Sequence, residues 1–291
     1  MVAVTLVDGV LADTIPVSDR GLLYGDGVFE TICYRRQQLL QLPAHLRRLQ
    51  QSCERLGIPL QLATIEQHLN FLFSCLPSGP EAPVEGVVKI IVTRGDGGRG
   101  YAPPTSAVSR SLIQFHPMPA QYAEFARQGI ACMLCQHRVS VNPGLGGLKH
   151  LNRLDQVMGS RELVAAQNRP HVDPMLQEGL MFDNQRNLIE GTRSNVFAVI
   201  RDQLCTPDVT AAGVCGIMRQ TLLAWCAGQG IGVVVRTIPA DELMLASEVF
   251  ICNSVLGIWP VNRLYDFTSD ATRVLTDDAM ARRAQRGLAC Q

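Results

Sequence analysis

The sequence has no excess of charge of either sign, since 26 Lys and Arg residues balance 26 Asp and Glu residues. Nucleic acids and anionic membranes are held mainly by basic surfaces, so neither is expected as a main partner. No uncharged apolar run is long enough to cross a bilayer. The N-terminus has no basic head and reaches an acidic residue at Asp8, which argues against a signal peptide. These absences predict a soluble protein of the cytoplasm.

Patterns typical of metal sites are also missing. The six His residues show no ligand spacing and HExxH does not occur, so no metal is expected. The ten cysteines are scattered, mostly within apolar runs, which is typical of small buried side chains in a cytosolic protein. Cys132 and Cys135 have CxxC spacing, but they lie in a predicted strand, where alternation sends the two thiols to opposite faces. A redox or metal role for this pair is not expected.

One glycine-rich stretch could be mistaken for a dinucleotide site. Residues 95–100 read GDGGRG, which fits GxGxxG after a predicted strand. Such a site needs a helix to begin at the glycines, so that its N–H groups and its dipole meet the pyrophosphate. Pro103 and Pro104 follow closely, so no helix is expected there. We expect a flexible turn in which Arg99 can meet a carboxylate.

The N-terminal part of the chain, residues 1–117, is predicted to be a small α+β domain. An apolar stripe with steps of four and three predicts an amphipathic helix that begins near Pro43 and ends at Gly57. A second helix is expected over residues 65–75. Strands are expected at 2–7, 28–34, 39–40, 86–93 and 111–115. Two helices against an antiparallel sheet follow from this order.

The rest of the chain, residues 118–291, is predicted to be a larger domain. Its expected helices are 149–166, 217–227 and 240–246. Its expected strands are 130–134, 179–182, 187–190, 196–200, 203–205, 233–238 and 248–252. We find no internal repeat and no low-complexity segment.

Lys149 is the residue that points most directly to chemistry. It follows the glycine-rich letters GLGGL at 144–148. A lone lysine is usually a solvated surface charge. It becomes reactive when burial lowers its pKa or when it is bonded to the aldehyde of a cofactor. Three further motifs favour the second case, namely SDRGLLYGDGVFET at 18–31, IEGTRSNVF at 189–197 and GVCGIMR at 213–219.

Together these motifs resemble the fold-type IV pyridoxal phosphate enzymes, a group that holds branched-chain and D-amino acid aminotransferases and 4-amino-4-deoxychorismate lyase. The resemblance extends over residues 18–254 and implies an α+β homodimeric enzyme with two domains. The small N-terminal α/β domain is then followed by a larger domain with a β-barrel-like core and flanking helices. Residues 148–157 (LKHLNRLDQV) and 93–101 (TRGDGGRGY) are most similar to the lyase. They imply a carbon–oxygen lyase of folate biosynthesis that makes 4-aminobenzoate and pyruvate from aminodeoxychorismate.

The resemblance assigns the central roles to two residues. Lys149 would hold pyridoxal 5'-phosphate covalently and move the substrate proton. Glu190 would face the ring nitrogen, because the cofactor is an electron sink only while that nitrogen is protonated, and a buried carboxylate holds the proton there. The alternative is that Glu190 is a surface carboxylate on a strand.

The resemblance also implies a phosphate site. Ile217 and Met218 begin a helix whose N–H groups and dipole favour an anion. The family often has Thr where Met218 stands, so a hydroxyl contact is lost here. Arg48 matches the family's phosphate arginine, and Ser254 matches a phosphate-binding hydroxyl. The alternative for Arg48 is a solvated side chain beside the apolar stripe of its helix.

Two asparagines are expected to add contacts to the cofactor, Asn195 and Asn253. Asn195 can instead bond the backbone near the start of its strand. Thr31 would lie near the substrate in the family. Arg99 is the first candidate for the substrate carboxylates, because the guanidinium group suits bidentate recognition. The other candidates are Arg35, Arg36, Arg153 and Arg193. Every one of these arginines, Arg99 included, has a surface or structural role as its alternative.

Three functions stay open at this point. The first is the lyase, and the second is a D-amino acid or branched-chain aminotransferase on the same cofactor. The third is a binding protein that keeps the fold without catalysis. The two enzymes share the lysine and the carboxylate, so the substrate pocket decides between them.

Overall fold

The computed structural model describes residues 4–79, 82–170 and 172–288. The chain forms two compact units, one of Met1–Pro119 with Leu148–Asn152 and one of Ala120–Gly147 with Arg153–Gln291. The segment that carries Lys149 thus packs with the first unit, although the predicted division after residue 117 counts it with the second.

The first unit is built on a six-stranded sheet whose neighbours are all antiparallel. Its strands are β1 (Val4–Val7), β2 (Val10–Leu11), β3 (Gly27–Arg35), β4 (Gln38–Leu39), β5 (Glu85–Thr93) and β6 (Arg110–Pro117). Its helices are α1 (Arg20–Tyr24), α2 (Leu42–Leu56) and α3 (Leu62–Ser74). The strand order is β2-β1-β6-β5-β3-β4, and α2 and α3 contact the sheet. The predicted α+β arrangement is confirmed.

The sequence predicts α2 well because its signals are local. Pro43 lies in the first turn, where its missing N–H costs no hydrogen bond. Gly57 ends the helix with φ 64°, and its N–H donates to two carbonyl groups of the last turn. The middle of the apolar stripe, Leu46, Leu49 and Cys53, is buried against the sheet.

The helix predicted over residues 149–166 is wrong at its start, since α5 (Leu154–Gln167) begins later. Lys149 lies in extended chain that pairs with β3. The Phe29 N–H donates to the Lys149 carbonyl at 2.9 Å, and the Leu151 N–H donates to the Gly27 carbonyl at 3.0 Å. The backbone groups that a helix would satisfy locally are therefore satisfied by a strand distant in sequence.

Two glycines of the GDG motif at 25–27 allow this pairing. Gly25 ends α1 with φ 66°, and a Cβ there would meet the Asn152 side chain. A Cβ at Gly27 would meet the Val92 carbonyl and the Leu151 side chain. Larger residues at either position would push the Lys149 segment away from β3.

The second unit contains a nine-stranded mixed sheet. Its strands are β7 (Ile130–Arg138), β8 (Leu176–Phe182), β9 (Leu188–Gly191), β10 (Asn195–Ile200), β11 (Gln203–Pro207), β12 (Val233–Arg236), β13 (Glu248–Asn253), β14 (Gly257–Asp266) and β15 (Ala271–Val274). Its helices are α4 (Tyr122–Gln128), α5, α6 (Ile217–Gly228), α7 (Ala240–Leu243) and α8 (Ala279–Leu288). The strand order is β12-β11-β10-β13-β14-β7-β8-β9, with β15 on β14. β9 also contacts β10 and β11, so the sheet curls on itself.

The two cysteines of the CxxC sequence lie on opposite faces of β7, as predicted. Cys132 packs in the main core of the unit, whereas Cys135 packs with Met181 and Ile189 in a separate cluster. Burial raises the pKa of both thiols, so they stay protonated and unreactive. Within the described residues, no helix combines the length and apolar character that crossing a membrane requires.

Candidate active site

Lys149 lies against the face of the first unit's sheet that is opposite to α2 and α3. Alternation along β3 buries Glu30 on the helix side and leaves Phe29 and Thr31 half-buried on the other side. The Lys149 Nζ atom lies 4.3 Å from the centroid of the Phe29 ring. A cation at this distance is attracted to the ring, which restrains the long side chain. The structure therefore brings Lys149 and Thr31 to one face of the sheet.

Lys89 is a residue of this face that the sequence analysis missed. It lies on β5 directly opposite Thr31, and its Nζ atom is 5.5 Å from the Phe29 ring centroid. Two ammonium groups thus approach one aromatic ring. The signal for it was a single lysine in the otherwise apolar strand at 86–93, where a charge is expected only on a face with a polar partner.

Arg48 is held in a buried ion pair within the first unit. Its Nε atom donates to Glu30 Oε1 at 2.7 Å, and a terminal nitrogen donates to Glu30 Oε2 at 2.5 Å. His45 Nδ1 lies 2.6 Å from the same Oε2 atom. Burial raises the pKa of the Glu30 carboxyl, but the hydrogen bonds from Arg48 and His45 outweigh it, so the pKa lies below its ordinary value of 4.5. Arg48 therefore has a structural partner in addition to its expected phosphate role.

This ion pair predicts acid sensitivity of the first unit. Since folding lowers the pKa of Glu30, its stabilising contribution is complete above the unfolded value of 4.5 and is lost as the pH falls through the folded value. The Glu30→Gln variant should be less stable than wild type near neutral pH, and the difference should shrink as the pH falls. Thermal unfolding from about pH 7 to pH 3 measures this. A destabilisation that is constant over this range would contradict it, and the solvent-exposed Glu54→Gln on α2 is the matched control.

Glu190 is buried in the second unit, so the alternative of a surface carboxylate is wrong. It lies on β9 and is 4% exposed. Its Oε1 atom accepts from Gln156 Nε2 at 3.0 Å, and its Oε2 atom accepts from the Val214 N–H at 2.8 Å. A buried carboxylate that accepts a hydrogen bond at each oxygen, with the charge of Arg153 nearby, can stay ionised. This donor set fits the counter-ion of a protonated ring nitrogen.

The beginning of α6 has the character expected of an anion site. The helix begins at Ile217 after Gly216, and this glycine has no side chain that could cap the first turn. The first N–H groups of a helix favour an anion. A Cβ at Gly216 would meet the Asn195 side chain, so glycine keeps this turn close to β10. The Met218 side chain packs in the apolar cluster under the helix, which leaves its backbone N–H as its polar contribution.

The two candidate asparagines both bond the backbone. Asn195 Nδ2 donates to the Val214 carbonyl at 2.9 Å, which is the alternative stated for it. Asn253 Nδ2 donates to the Arg193 carbonyl at 2.8 Å. Its Oδ1 atom accepts from two N–H groups of the turn after β13 at 2.8 Å each. Asn253 thus shapes the turn that presents Ser254.

Glu178 organises the link between Glu190 and Asn195, and sequence reasoning missed it. This β8 residue is 0% exposed. Its Oε1 atom accepts from the Thr192 hydroxyl at 2.5 Å and its Oε2 atom accepts from the Ser194 hydroxyl at 2.8 Å. It therefore holds the short turn that joins β9 to β10. A single glutamate in a strand carries no local signal of such a partner set.

Arg99 is exposed in a loop that Arg20 holds from inside the first unit. As predicted, no helix begins at these glycines. Arg20 is 3% exposed, and its Nε atom donates to Asp26 at 2.9 Å. Its other nitrogens donate to four loop carbonyl groups, those of Gly97, Gly100, Tyr101 and Ala102. One guanidinium group thus fixes the backbone around Arg99.

We expect Arg20→Lys to loosen this loop. Lysine keeps the charge but cannot reproduce a planar fork that reaches five acceptors. A loss of about 2 kcal/mol of local stability would speed trypsin cleavage after Arg99 by about 30-fold. Limited proteolysis with mass spectrometry measures the rate at that bond. Arg47→Lys, on the exposed side of α2, is the control, and equal cleavage in both variants would contradict the role of Arg20.

Among the remaining candidate arginines, Arg36 is exposed in the turn between β3 and β4. The other three interact with groups of their own units. Arg35 pairs with Glu85 at 2.7 Å on the surface of the first unit. Arg193 donates to the Gln177 carbonyl at 2.7 Å. Burial lowers the pKa of Arg153, and the nearby charge of Glu190 opposes this effect.

Comparison with known proteins identifies the family. The sequence profile of the class IV amino-transferase family matches residues 27–264. Aminodeoxychorismate lyase from Vibrio harveyi is 31% identical over 257 residues, which are 88% of this chain and 89% of that protein. The crystal structure of 4-amino-4-deoxychorismate lyase from Pseudomonas aeruginosa is similar with a TM-score of 0.86 and 38% identity, over 99% of this chain and 98% of that one. D-alanine aminotransferase from Bacillus licheniformis is 27% identical over 263 residues, which are 86% of this chain and 83% of that protein. The chain belongs to the class IV amino-transferase family.

Proposed function

We propose that the chain is a pyridoxal phosphate-dependent lyase that converts 4-amino-4-deoxychorismate into 4-aminobenzoate and pyruvate. The observation that carries this proposal is the similarity to two proteins named as this lyase, at 31% and 38% identity over nearly the whole chain. Glu190 supports the proposal, because it is buried and accepts a hydrogen bond at each carboxylate oxygen. A carboxylate of this kind is the group that pyridoxal phosphate chemistry needs beside the ring nitrogen.

The residues proposed to hold the cofactor supply complementary groups. Lys149 would bind it covalently, and Glu190 would hold the proton on its ring nitrogen. The phosphate would be bound by the first N–H groups of α6 at Ile217 and Met218, with Arg48 and Ser254. Further polar contacts are proposed for Asn195 and Asn253.

When bound, pyridoxal phosphate supplies an electron sink for the carbon next to the substrate amine. Lys149, as a neutral amine, would remove the proton from that carbon. Glu190 would keep the ring nitrogen protonated, with an attraction of about 4 kcal/mol for unit charges at about 4 Å and an effective dielectric near 20. The enolpyruvyl C–O bond then breaks with its electron pair on oxygen, and a proton returns to the leaving group to give pyruvate. The six-membered ring of the substrate becomes aromatic and gives 4-aminobenzoate. No external oxidant or keto acid is consumed.

The substrate carries two carboxylates, which we propose are recognised by cations of the chain. Arg99 is presented by a loop whose backbone Arg20 fixes. Lys89 and Thr31 face each other across β5 and β3 on the side of the sheet that carries Lys149. Their ammonium and hydroxyl groups can donate to an anionic substrate.

Release of pyruvate from 4-amino-4-deoxychorismate, without any added keto acid, tests the proposal. We expect equal amounts of pyruvate and 4-aminobenzoate from the purified holoenzyme. An aminotransferase would instead form glutamate from a D- or branched-chain amino acid and 2-oxoglutarate. A protein without catalysis would show neither reaction and no cofactor absorbance that depends on Lys149.

We further propose that the protein is a homodimer in the cytoplasm. The first unit exposes apolar side chains around α1 and the Arg99 loop, with Leu22 60%, Leu23 52% and Tyr101 87% exposed. Such a cluster is typical of a protein interface. All nine cysteines in the described part of the chain are free thiols, as expected in a reducing compartment.

Sedimentation of the wild type should give the mass of two chains. Leu22→Asp combined with Leu23→Asp should give a single chain, because a charge at each position opposes apolar burial. Val10→Asp, at another exposed apolar position of the first unit, is the control. A wild type that sediments as one chain would contradict the dimer.

A further inference from the structure

The first turn of α5 carries a polar side chain, that of Gln156, on the face of the helix that packs inward. Gln156 continues the buried stripe of this helix, formed by Gly159, Leu163 and Ala166, with steps of three and four. It is a polar residue in a position where the pattern calls for an apolar one. Its Nε2 atom donates to Glu190 Oε1 at 3.0 Å.

Gly159 brings Gln156 within reach of Glu190. A Cβ at position 159 would lie 3.1 Å from Thr192 Cγ2 and 3.3 Å from Met181 Sδ. Glycine therefore lets α5 lie close to β8 and to the turn after β9. The amide of Gln156, one turn before Gly159, then lies within hydrogen-bond distance of the Glu190 carboxylate on β9. The packing of α5 fixes this distance.

The amide orientation matches the hydrogen bonding that an ionised carboxylate requires. An ionised carboxylate can only accept hydrogen bonds, so Gln156 must turn its NH2 group toward Glu190. Its Oε1 atom is then buried without a hydrogen-bond partner among the residues that the structure describes. Buried acceptors are rarely left unpaired unless another requirement fixes the group. The requirement here is a donor from α5 to Glu190 Oε1, while the Val214 N–H donates to the other oxygen at 2.8 Å.

We infer that Gln156 is a positioning residue that holds the Glu190 carboxylate in one orientation and in its ionised form. This inference rests on the proposed function, since it gives Glu190 the task of keeping the cofactor ring nitrogen protonated. Gln156 itself is not proposed to touch the substrate. It acts through Glu190, as a neutral donor that stabilises the anion without cancelling its charge.

Two substitutions at this position have opposite chemical effects. Gln156→Met keeps the volume but removes the donor, so Glu190 takes up a proton more easily and the ring nitrogen loses its proton more easily. Two pH ranges should narrow by about one pH unit in this variant. One is the range over which the bound cofactor keeps its absorbance spectrum, and the other is the range over which kcat stays at its plateau. Gln156→Glu donates only while one of the two carboxyl groups is protonated, so the kcat optimum should move toward acid pH. The substrate KM at the optimum should stay within about twofold of wild type in both variants.

The experiment compares pH titrations of cofactor absorbance and of kcat for the wild type, both Gln156 variants and Gln167→Met. Gln167 is the control because it is another glutamine of α5 whose amide donates a hydrogen bond. Its acceptor is the Leu176 carbonyl group, at 2.7 Å. A narrowed range for Gln156→Met, an acid shift for Gln156→Glu and wild-type behaviour for Gln167→Met would support the inference. It is overturned if both Gln156 variants keep the wild-type profile or if Gln167→Met shows the same change. A wild type that binds the cofactor but releases no pyruvate refutes the lyase and leaves the absorbance test valid, whereas a wild type without cofactor absorbance overturns both.

Discussion

The Lys149→Ala variant should release pyruvate more slowly than the wild type by about 10⁴-fold or more. A positioned base contributes about 10²–10⁴-fold, and the covalent hold on the cofactor is lost with the same side chain. The fold should persist, because the segment is attached to β3 through backbone groups that alanine retains. Initial rates of pyruvate release measure the first effect, and thermal unfolding measures the second.

Two controls separate the covalent role of Lys149 from its charge. Lys149→Arg keeps a cation near Phe29 but cannot form the link to an aldehyde, so it should be as inactive as Lys149→Ala. Lys89→Ala removes the other ammonium group near the same ring. It should still attach the cofactor on borohydride reduction, with a raised KM for the dianionic substrate. If mass spectrometry finds the reduced cofactor on a residue other than Lys149, the assignment is wrong.

Glu190→Gln is expected to lower kcat by about 10³-fold, which corresponds to the loss of about 4 kcal/mol of attraction to a protonated ring nitrogen. Glutamine preserves the shape and can still bond Gln156 or the Val214 N–H, but it carries no charge. The cofactor should remain bound, since the proposed covalent and phosphate contacts are elsewhere. Its absorbance should change, because the ring nitrogen loses its proton.

Two variants make this result specific to the charge at position 190. Glu190→Asp keeps the charge but retracts it by one methylene group, so its activity should lie between those of wild type and Glu190→Gln. Glu248→Gln removes another buried carboxylate of the second unit, which bonds the N–H groups of Met280 and Ala281 at the start of α8. It should lower the melting temperature and leave kcat near the wild-type value. Equal losses of kcat in Glu190→Gln and Glu248→Gln would show that the effect is one of folding.

The predictable parts of the fold are those with local signals. The sequence predicts α2 from its apolar spacing, Pro43 and Gly57, and it predicts most strands of both units within a few residues. The predictions missed the strands β2, β14 and β15 and the helices α1, α4 and α8. The start of α5 was wrong because the spacing after Lys149 is compatible with a helix. The partner that keeps this segment extended is β3, which no short window of sequence contains.

The residues of the candidate site also fall into those that a local motif marks and those that it does not. Motifs pointed to Lys149 and Glu190, since each lies in a characteristic run of letters. They did not point to Lys89, Gln156 or Glu178, whose partners belong to other elements. The expected phosphate role of Arg48 also gave no indication of its ion pair with Glu30.

The sequence by itself determined the α+β class, the positions of most helices and strands, and the motifs that mark a lysine and a carboxylate for cofactor chemistry. Periodicity, turn residues and characteristic letters are properties of neighbouring residues, so they can be read along the chain. Only the tertiary structure decided that Lys149 is extended against β3 and that Glu190 is buried where it accepts from Gln156 and from the Val214 N–H. Both facts depend on hydrogen-bond partners that folding brings together from distant parts of the chain.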